Sequence, residues 1–220
     1  MYKSVDDIVE EVKICIDEIG PNDSEMIGSQ DNMDMSLIIR SKIIDALRYV
    51  NGNADPGMLT PDVVIDKADT SVSIDEDLVG HVVLPDNFMR LCYARFASWV
   101  MFLSEPIYWD DPEYSILKDP YATGTPERPK LAMVPYPKRT LELYKAKDRN
   151  DSIQVGIMTE PSIINEDGEE KVSVSDRLVQ ALVYYIAGLT LLTYKDEHAD
   201  SMFNQALVLM GISPTAQQNS

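Results

Sequence analysis

The stretch Leu84–Trp99, LPDNFMRLCYARFASW, runs on through residues 100–103 as VMFL, and its apolar side chains are too dense for periodicity to separate a buried strand from a buried helix. The fold class has to be read from the flanks. On the N-terminal side, VVI at 63–65, VSI at 72–74 and VV at 82–83 are short β-branched runs separated by Asp and Gly, which is strand-and-turn chemistry. On the C-terminal side, residues 104–140 hold seven prolines (106, 112, 120, 126, 129, 135 and 137), which predicts a long loop with fixed turns in place of regular structure. A loop of that length in a compact protein is usually a binding element. LELYKA at 141–146 and SIQVGIM at 152–158 predict strands, and SIIN-EDGE-EKVSV predicts a hairpin turning at Asp167-Gly168.

Further out the period changes to that of a helix. Val5, Ile8, Val9, Val12, Ile16 and Ile19 form a stripe with Ser4 as N-cap, Asp6 and Asp7 in the first turn, and Gly20-Pro21 as the stop. Residues 22–34 are polar and predict a mobile loop; Leu37, Ile38, Ile43, Ile44, Leu47 and Val50 then give a second helix ending at Asn51-Gly52. Ser175 is placed to cap a helix from about Asp176 to Tyr194, and a shorter one runs through Phe203, Leu207 and Met210 to Gly211. This order predicts an α+β fold: an antiparallel helical bundle from N- and C-terminal helix pairs, with an inserted small β domain and a long Pro-rich loop. The expected boundaries are 1–60 for the first helix pair, 61–174 for the β domain, 175–211 for the second pair, and 212–220 for a flexible tail.

Composition narrows the function. The 220 residues are 45% hydrophobic, enough for real cores, and carry 19 Lys and Arg against 37 Asp and Glu, for a net charge of −18. So acidic a surface repels phosphate backbones, which argues against sequence-specific nucleic-acid binding but suits a wall that DNA must slide past. The opening MYKSVDDIVEEV lacks the basic and apolar regions of an export signal. The longest apolar run, Ala181–Tyr194, falls short of the roughly 20 residues of a spanning helix, so no membrane partner is expected. Cys15 and Cys92 have no companions at metal or redox spacing, which predicts free thiols in a reducing compartment.

No catalytic constellation emerges, so the chain is expected not to be an enzyme and to need no cofactor or metal. His81 and His198 sit in no metal-ligand spacing. An EF-hand begun at Asp66 fails at Thr70 and at Ser71, where glycine is required. Asp110 and Asp111 beside Trp109 invite a glycosidase reading, but adjacent carboxylates cannot flank a bond. Of the central aromatics, Phe88, Tyr93, Phe96, Trp99 and Phe102 are assigned to the core. Tyr108 and Trp109 are assigned to a protein interface, because Trp and Tyr in exposed loops are what partner contacts use. Tyr184 and Tyr185 are adjacent and cannot share a helix face, so one buries and Tyr185 is a candidate for a subunit contact.

The segment LPDNFMRLCYARFASW, through Leu84, Pro85, Asp86, Phe88, Arg90, Leu91 and Trp99, resembles the head-tail connector (adaptor) family of tailed phages, the tail tubular A-like proteins of short-tailed phages and the ring proteins of crAss-like phages. In that family a turn of helix leads into a strand ending in Trp. GTPERPKLAMVPYP at 124–137, the strands at 141–158 followed by Glu160-Pro161, and the closing helix pair extend the likeness over about 75–210. The resemblance implies a structural virion protein made in the host cytoplasm, assembled as a dodecameric ring that binds the portal protein and the next tail ring or nozzle protein, with genome DNA passing through its channel. By the same analogy the tail from Ile212 and Pro214 would dock on the portal, and the loop around Trp109 and Thr125 would contact the next ring. The alternative is a non-catalytic acidic protein-binding module of another virion or regulatory assembly.

Overall fold

The computed structural model describes residues 2–17, 29–119, 122–135 and 137–213. Among them the elements run β1 (Tyr2–Ser4), α1 (Val5–Asp17), α2 (Ser29–Asn53), β2 (Val63–Asp66), β3 (Val72–Ile74), β4 (Gly80–Val83), β5 (Phe88–Phe96), β6 (Ile107–Tyr108), α3 (Pro112–Ile116), β7 (Leu131–Val134), β8 (Thr140–Leu143), β9 (Ile153–Thr159), β10 (Ile164–Glu166), β11 (Glu169–Ser173), α4 (Val179–Thr193) and α5 (Ala199–Leu209). The chain folds as two compact units, Met1–Thr60 with Pro161–Ser220, and Pro61–Glu160.

In the first unit α4 is the central helix. It buries Ala181, Leu182, Val183, Ile186, Ala187, Gly188, Thr190 and Leu191, positions that surround its axis, and packs against α1, α2 and α5. A helix apolar on nearly every side has no other stable place than the middle of a layer. α1 brings Val5, Ile8, Val9 and Val12, and α2 brings Ile39, Ile43, Ala46, Leu47 and Val50. Gly188 gives Phe203 of α5 its seat: a Cβ there would lie 2.8 Å from the Phe203 ring. Beside the helices, β1 joins the β10–β11 hairpin in a three-stranded antiparallel sheet. The hairpin turns at Asp167 (φ 55°) and Gly168 (φ 83°), the two left-handed positions of a tight turn. Arg40 of α2 donates to Glu170 at 2.8 Å and also pairs with Asp6.

The second unit is built from two sheets, of order β2-β9-β5 and β3-β4-β8-β7-β6, antiparallel except for the β6–β7 pair. Ile65, Leu91, Phe96, Ile153, Val155 and Ile157 of the first sheet and Val82, Leu131, Leu141 and Leu143 of the second fill one shared core, a small β-sandwich. Gly80 lies over that core, where a Cβ would come 2.7 Å from Phe96 Cζ and 2.8 Å from Ile153 Cδ1, both side chains fully buried. Gly80→Ala is therefore expected to cost about 1–3 kcal/mol through overpacking. The check is a urea titration in which the midpoint falls and the slope stays the same.

The expected fold class is corrected by this architecture. An antiparallel helical bundle carrying a small inserted β domain would be dominated by helix, whereas eleven strands in three sheets outweigh five helices among the described residues, one of them only five residues long. The protein is α+β, with the β-sandwich a full partner of the helical layer, and the helical layer has a sheet of its own. The Pro-rich stretch 104–140 is not one long loop: β6 and β7 lie between its prolines, α3 begins at Pro112, and β8 begins at its end, at Thr140. Pro112 sits at the first turn of α3, behind Asp111, whose carboxylate accepts the Glu113 N–H at 2.8 Å. Residues 29–34, expected in a mobile loop, belong to α2; 22–28 and the stop at Gly20-Pro21 lie outside the described residues. Ser4 caps α1, its hydroxyl accepting from Asp6 N–H at 3.2 Å. Ser175 does not cap its helix; its hydroxyl accepts from the Thr60 N–H at 2.7 Å, and a tight helical turn at Asp176–Leu178 precedes α4. The helix turn expected at 84–91 is instead a reverse turn closed by Phe88 N–H to Pro85 C=O at 3.0 Å, and β5 ends at Phe96 with Trp99 beyond it.

Candidate functional site

Two clusters in the second unit are candidates for function, one polar and one aromatic. The polar one comes from strand register. β3, β4, β8 and β7 place Ser73, His81, Glu142 and Ala132 in one row across the sheet. His81 Nε2 meets Asp75 Oδ2 at 3.0 Å, and Glu142 Oε2 accepts the hydroxyls of Tyr144 at 2.7 Å and Tyr114 at 3.2 Å. A Ser, a His and carboxylates side by side invite a hydrolase reading. The geometry answers otherwise: Glu142 is occupied by two phenols, and Tyr114 and Leu117 pack with Tyr144, Ala132, Val79 and Ile107, so that α3 is held down on the sheet. Burial and the Glu142 carboxylate both push the Tyr144 phenol well above its ordinary range, which keeps it a donor. This cluster is a clasp for α3.

Asp75, in the turn before β4, adds a pH dependence of its own. Partial burial alone would raise its pKa, but hydrogen bonds from His81 and from the Val79 and Asp77 amides outweigh it and hold the carboxyl below the ordinary aspartate value. A carboxyl depressed in the folded state adds stability above its unfolded pKa, about 4, and that stability is lost as pH falls through the lower folded value. Asp75→Asn should accordingly flatten the fall in stability below about pH 4. Denaturant midpoints measured from neutral into that acid window, for both proteins, give the comparison.

The aromatic cluster follows from β6. Ile107 and Tyr108 pair in parallel with Ala132 and Met133 at the sheet edge, Trp109 N–H donates to Met133 C=O at 3.2 Å, and Asp111 N–H closes a turn onto Tyr108 C=O at 2.9 Å. The backbone is thus fixed on both sides of Tyr108 and Trp109 while each side chain remains 55% exposed. Acidic residues surround the pair in sequence: Glu105, Asp110, Asp111 and Glu113. A second exposed apolar segment, Val100, Met101 and Phe102, hangs from β5 through the Ala94–Leu103 bridge. Val100 N–H donates to Pro126 C=O at 3.0 Å, which brings this segment beside the Thr125–Arg128 turn, where Thr125 is exposed. Phe102, expected in the core, is 63% exposed and touches Tyr93 only edge-on, at 6.5 Å. Phe88, Phe96 and Trp99 are buried, and Tyr93 is half-buried over Gly156.

The remaining interface candidates lie in the first unit. Tyr185 is half-buried in an aromatic stack, 4.3 Å from Tyr49 and 5.2 Å from Phe203, so much of its ring is spent on contacts within the chain. Ile212 is half-buried after α5, its N–H donating to Leu207 C=O at 2.9 Å; Pro214 lies outside the described residues. Cys92 is buried, and desolvation with the nearby Asp62 charge pushes its thiol up to about 12, which makes it unreactive. Among the described residues no group of three or more His, Cys, Asp or Glu is placed to hold a metal ion, and no helix is long and apolar enough to cross a membrane. The Val100–Phe102 segment was missed from the sequence, because an apolar run following a buried strand carries no mark that it turns outward. No protein-family model matches the chain, and no curated protein matches it.

Proposed function

We propose that the chain is a structural, non-enzymatic subunit of a tailed-phage head-to-tail connector: a ring that joins the portal to the tail and forms part of the DNA channel. The observation that carries this reading is the Tyr108–Trp109 pair, two large exposed aromatics on a backbone hydrogen-bonded at both ends. Rigid aromatic anchors lose little entropy on binding and recur as the dominant residues of protein interfaces. The likeness of Leu84–Trp99 to the connector family supplies the class of partner, and the exposed Val100–Phe102 segment with Thr125 supplies a second contact zone, as subunits binding head to tail around a ring require. The net charge of −18 supports a channel role, since a like-charged wall lets DNA pass without holding it.

The test is native mass spectrometry of the purified protein with and without a portal ring. A stable complex with one closed ring of subunits per portal supports the reading; a subunit that stays monomeric in its presence argues for a stand-alone acidic binding module.

A further inference from the structure

Tyr93 and Arg95 of β5 point away from the sandwich core, because their neighbours Ala94 and Phe96 point into it. Register places Val64 of β2, Gly156 of β9 and Tyr93 in one row across the outer face of that sheet. Gly156 has no side chain, and the Tyr93 ring lies in the space, where a Cβ would overlap it. Phe102 meets that ring edge-on at 6.5 Å, so an apolar stripe runs from Val64 through Tyr93 to Phe102. Both ends are open to solvent, Val64 at 51% and Phe102 at 63% exposure. Two residues along the strand from Tyr93, Arg95 is exposed on the same face and donates through Nε and Nη2 to Gln154 Oε1 at 3.1 and 2.8 Å. That partner is neutral, and no carboxylate among the described residues pairs with Arg95. The complementary arrangement stands on the other sheet. Tyr108 and Trp109, held to β7 at the sheet edge, are followed by Asp110, an exposed carboxylate with no cation paired to it among the described residues.

We propose that the Tyr108–Asp110 segment of one copy docks on the Val64–Tyr93–Phe102 stripe of a second copy, with Asp110 answering Arg95. The inference rests on the connector reading and names the partner of its aromatic anchor: the neighbouring subunit of the same ring. The rings cover the apolar stripe, and the charge-assisted hydrogen bond sets the register. Copies that each carry a net charge of −18 repel one another, so their association needs a local meeting of opposite charges, and Arg95 with Asp110 supplies it. Stripe on stripe, or anchor on anchor, would leave both charges unanswered. Two unlike surfaces make a heterologous contact, the kind that closes into a ring.

The experiment is assembly of the full chain on a portal ring, followed by light scattering, with charge-reversed variants. Arg95→Glu and Asp110→Arg should each raise the concentration needed for assembly by about tenfold or more, since each sets like charges face to face at every contact. Both residues are exposed, so the unfolding midpoints should not move. Arg95→Glu combined with Asp110→Arg in one chain should recover most of the loss, because the charges are then exchanged at every contact. A second measurement fixes the partner. A photoreactive benzoylphenylalanine in place of Trp109, in rings assembled from isotope-labelled and unlabelled chains, should crosslink to peptides holding Tyr93 or Phe102 of another copy. Wild-type protein that does not assemble would remove the connector reading and this contact with it. Wild-type assembly together with undiminished assembly of the single variants, no recovery in the double variant, or crosslinks only to another protein would overturn the contact and leave the connector reading standing.

Discussion

Truncating Phe96 to alanine should cost the β-sandwich about 3–5 kcal/mol, the usual loss when a fully buried aromatic is removed from a packed core. Phe96 is at 0% exposure, its ring meets Trp99 edge-on at 5.4 Å, and it fills the space that the missing side chain of Gly80 leaves open. It therefore links both sheets, and few neighbours can close the gap because most are themselves fully buried. Phe102→Ala is the control. Only six residues away and 63% exposed, it should change stability by no more than about 1 kcal/mol. Equilibrium unfolding followed by tryptophan fluorescence reports on this unit directly, since Trp99 and Trp109 both lie in it. Similar losses for the two variants would mean that the sandwich core is not where Phe96 places it.

The double variant Tyr108→Ala, Trp109→Ala should behave in the opposite way, leaving the unfolding midpoint nearly unchanged while assembly is lost. The two side chains contribute little to the core, and the hydrogen bonds that fix their segment run through backbone atoms that alanine retains. If they are anchors, each truncation should cost about 2 kcal/mol or more per subunit contact, and the cost repeats at every contact around a closed ring. Size-exclusion chromatography with light scattering, run with and without the portal partner, separates the outcomes. Assembly of the double variant at wild-type concentrations would move the interface elsewhere, with Val100–Phe102 the next surface to test.

The features legible in the sequence divide from the rest along physical lines. The stripes of α1 and α5, the continuous apolar run of α4, the left-handed pair at Asp167-Gly168 and the strand at Ile153–Thr159 are local signals, and each is present where the residues imply it. β5 could not be read because two register shifts, between Phe88 and Arg90 and between Leu91 and Tyr93, break the alternation that marks a strand. Met89 and Cys92 are the extra residues, and each moves the remainder of the strand to the other face. The Pro-rich stretch misled because proline was counted as a density and not by position. The prolines among the described residues fall outside the strands, Pro112 begins a helix, and LAMV at 131–134 is free of proline and apolar. The clasp of Glu142, Tyr114 and Tyr144 joins α3 to β8, and His81 stands beside it only because β4 pairs with β8, strands separated by more than fifty residues, so no local pattern announces the cluster. Tyr108 and Trp109 were assigned to an interface by residue type and loop context; their exposure and the parallel pairing of β6 with β7 that fixes their backbone are tertiary facts.

The central claim is that this polypeptide holds virion parts in register. The most direct measurement is its copy number and position in purified particles, by quantitative mass spectrometry joined to image reconstruction of the head-tail junction. The account predicts a fixed number of copies, equal to the subunits of one closed ring, localised beneath the portal. Its absence from the particle, or a variable number of copies away from that junction, would contradict it.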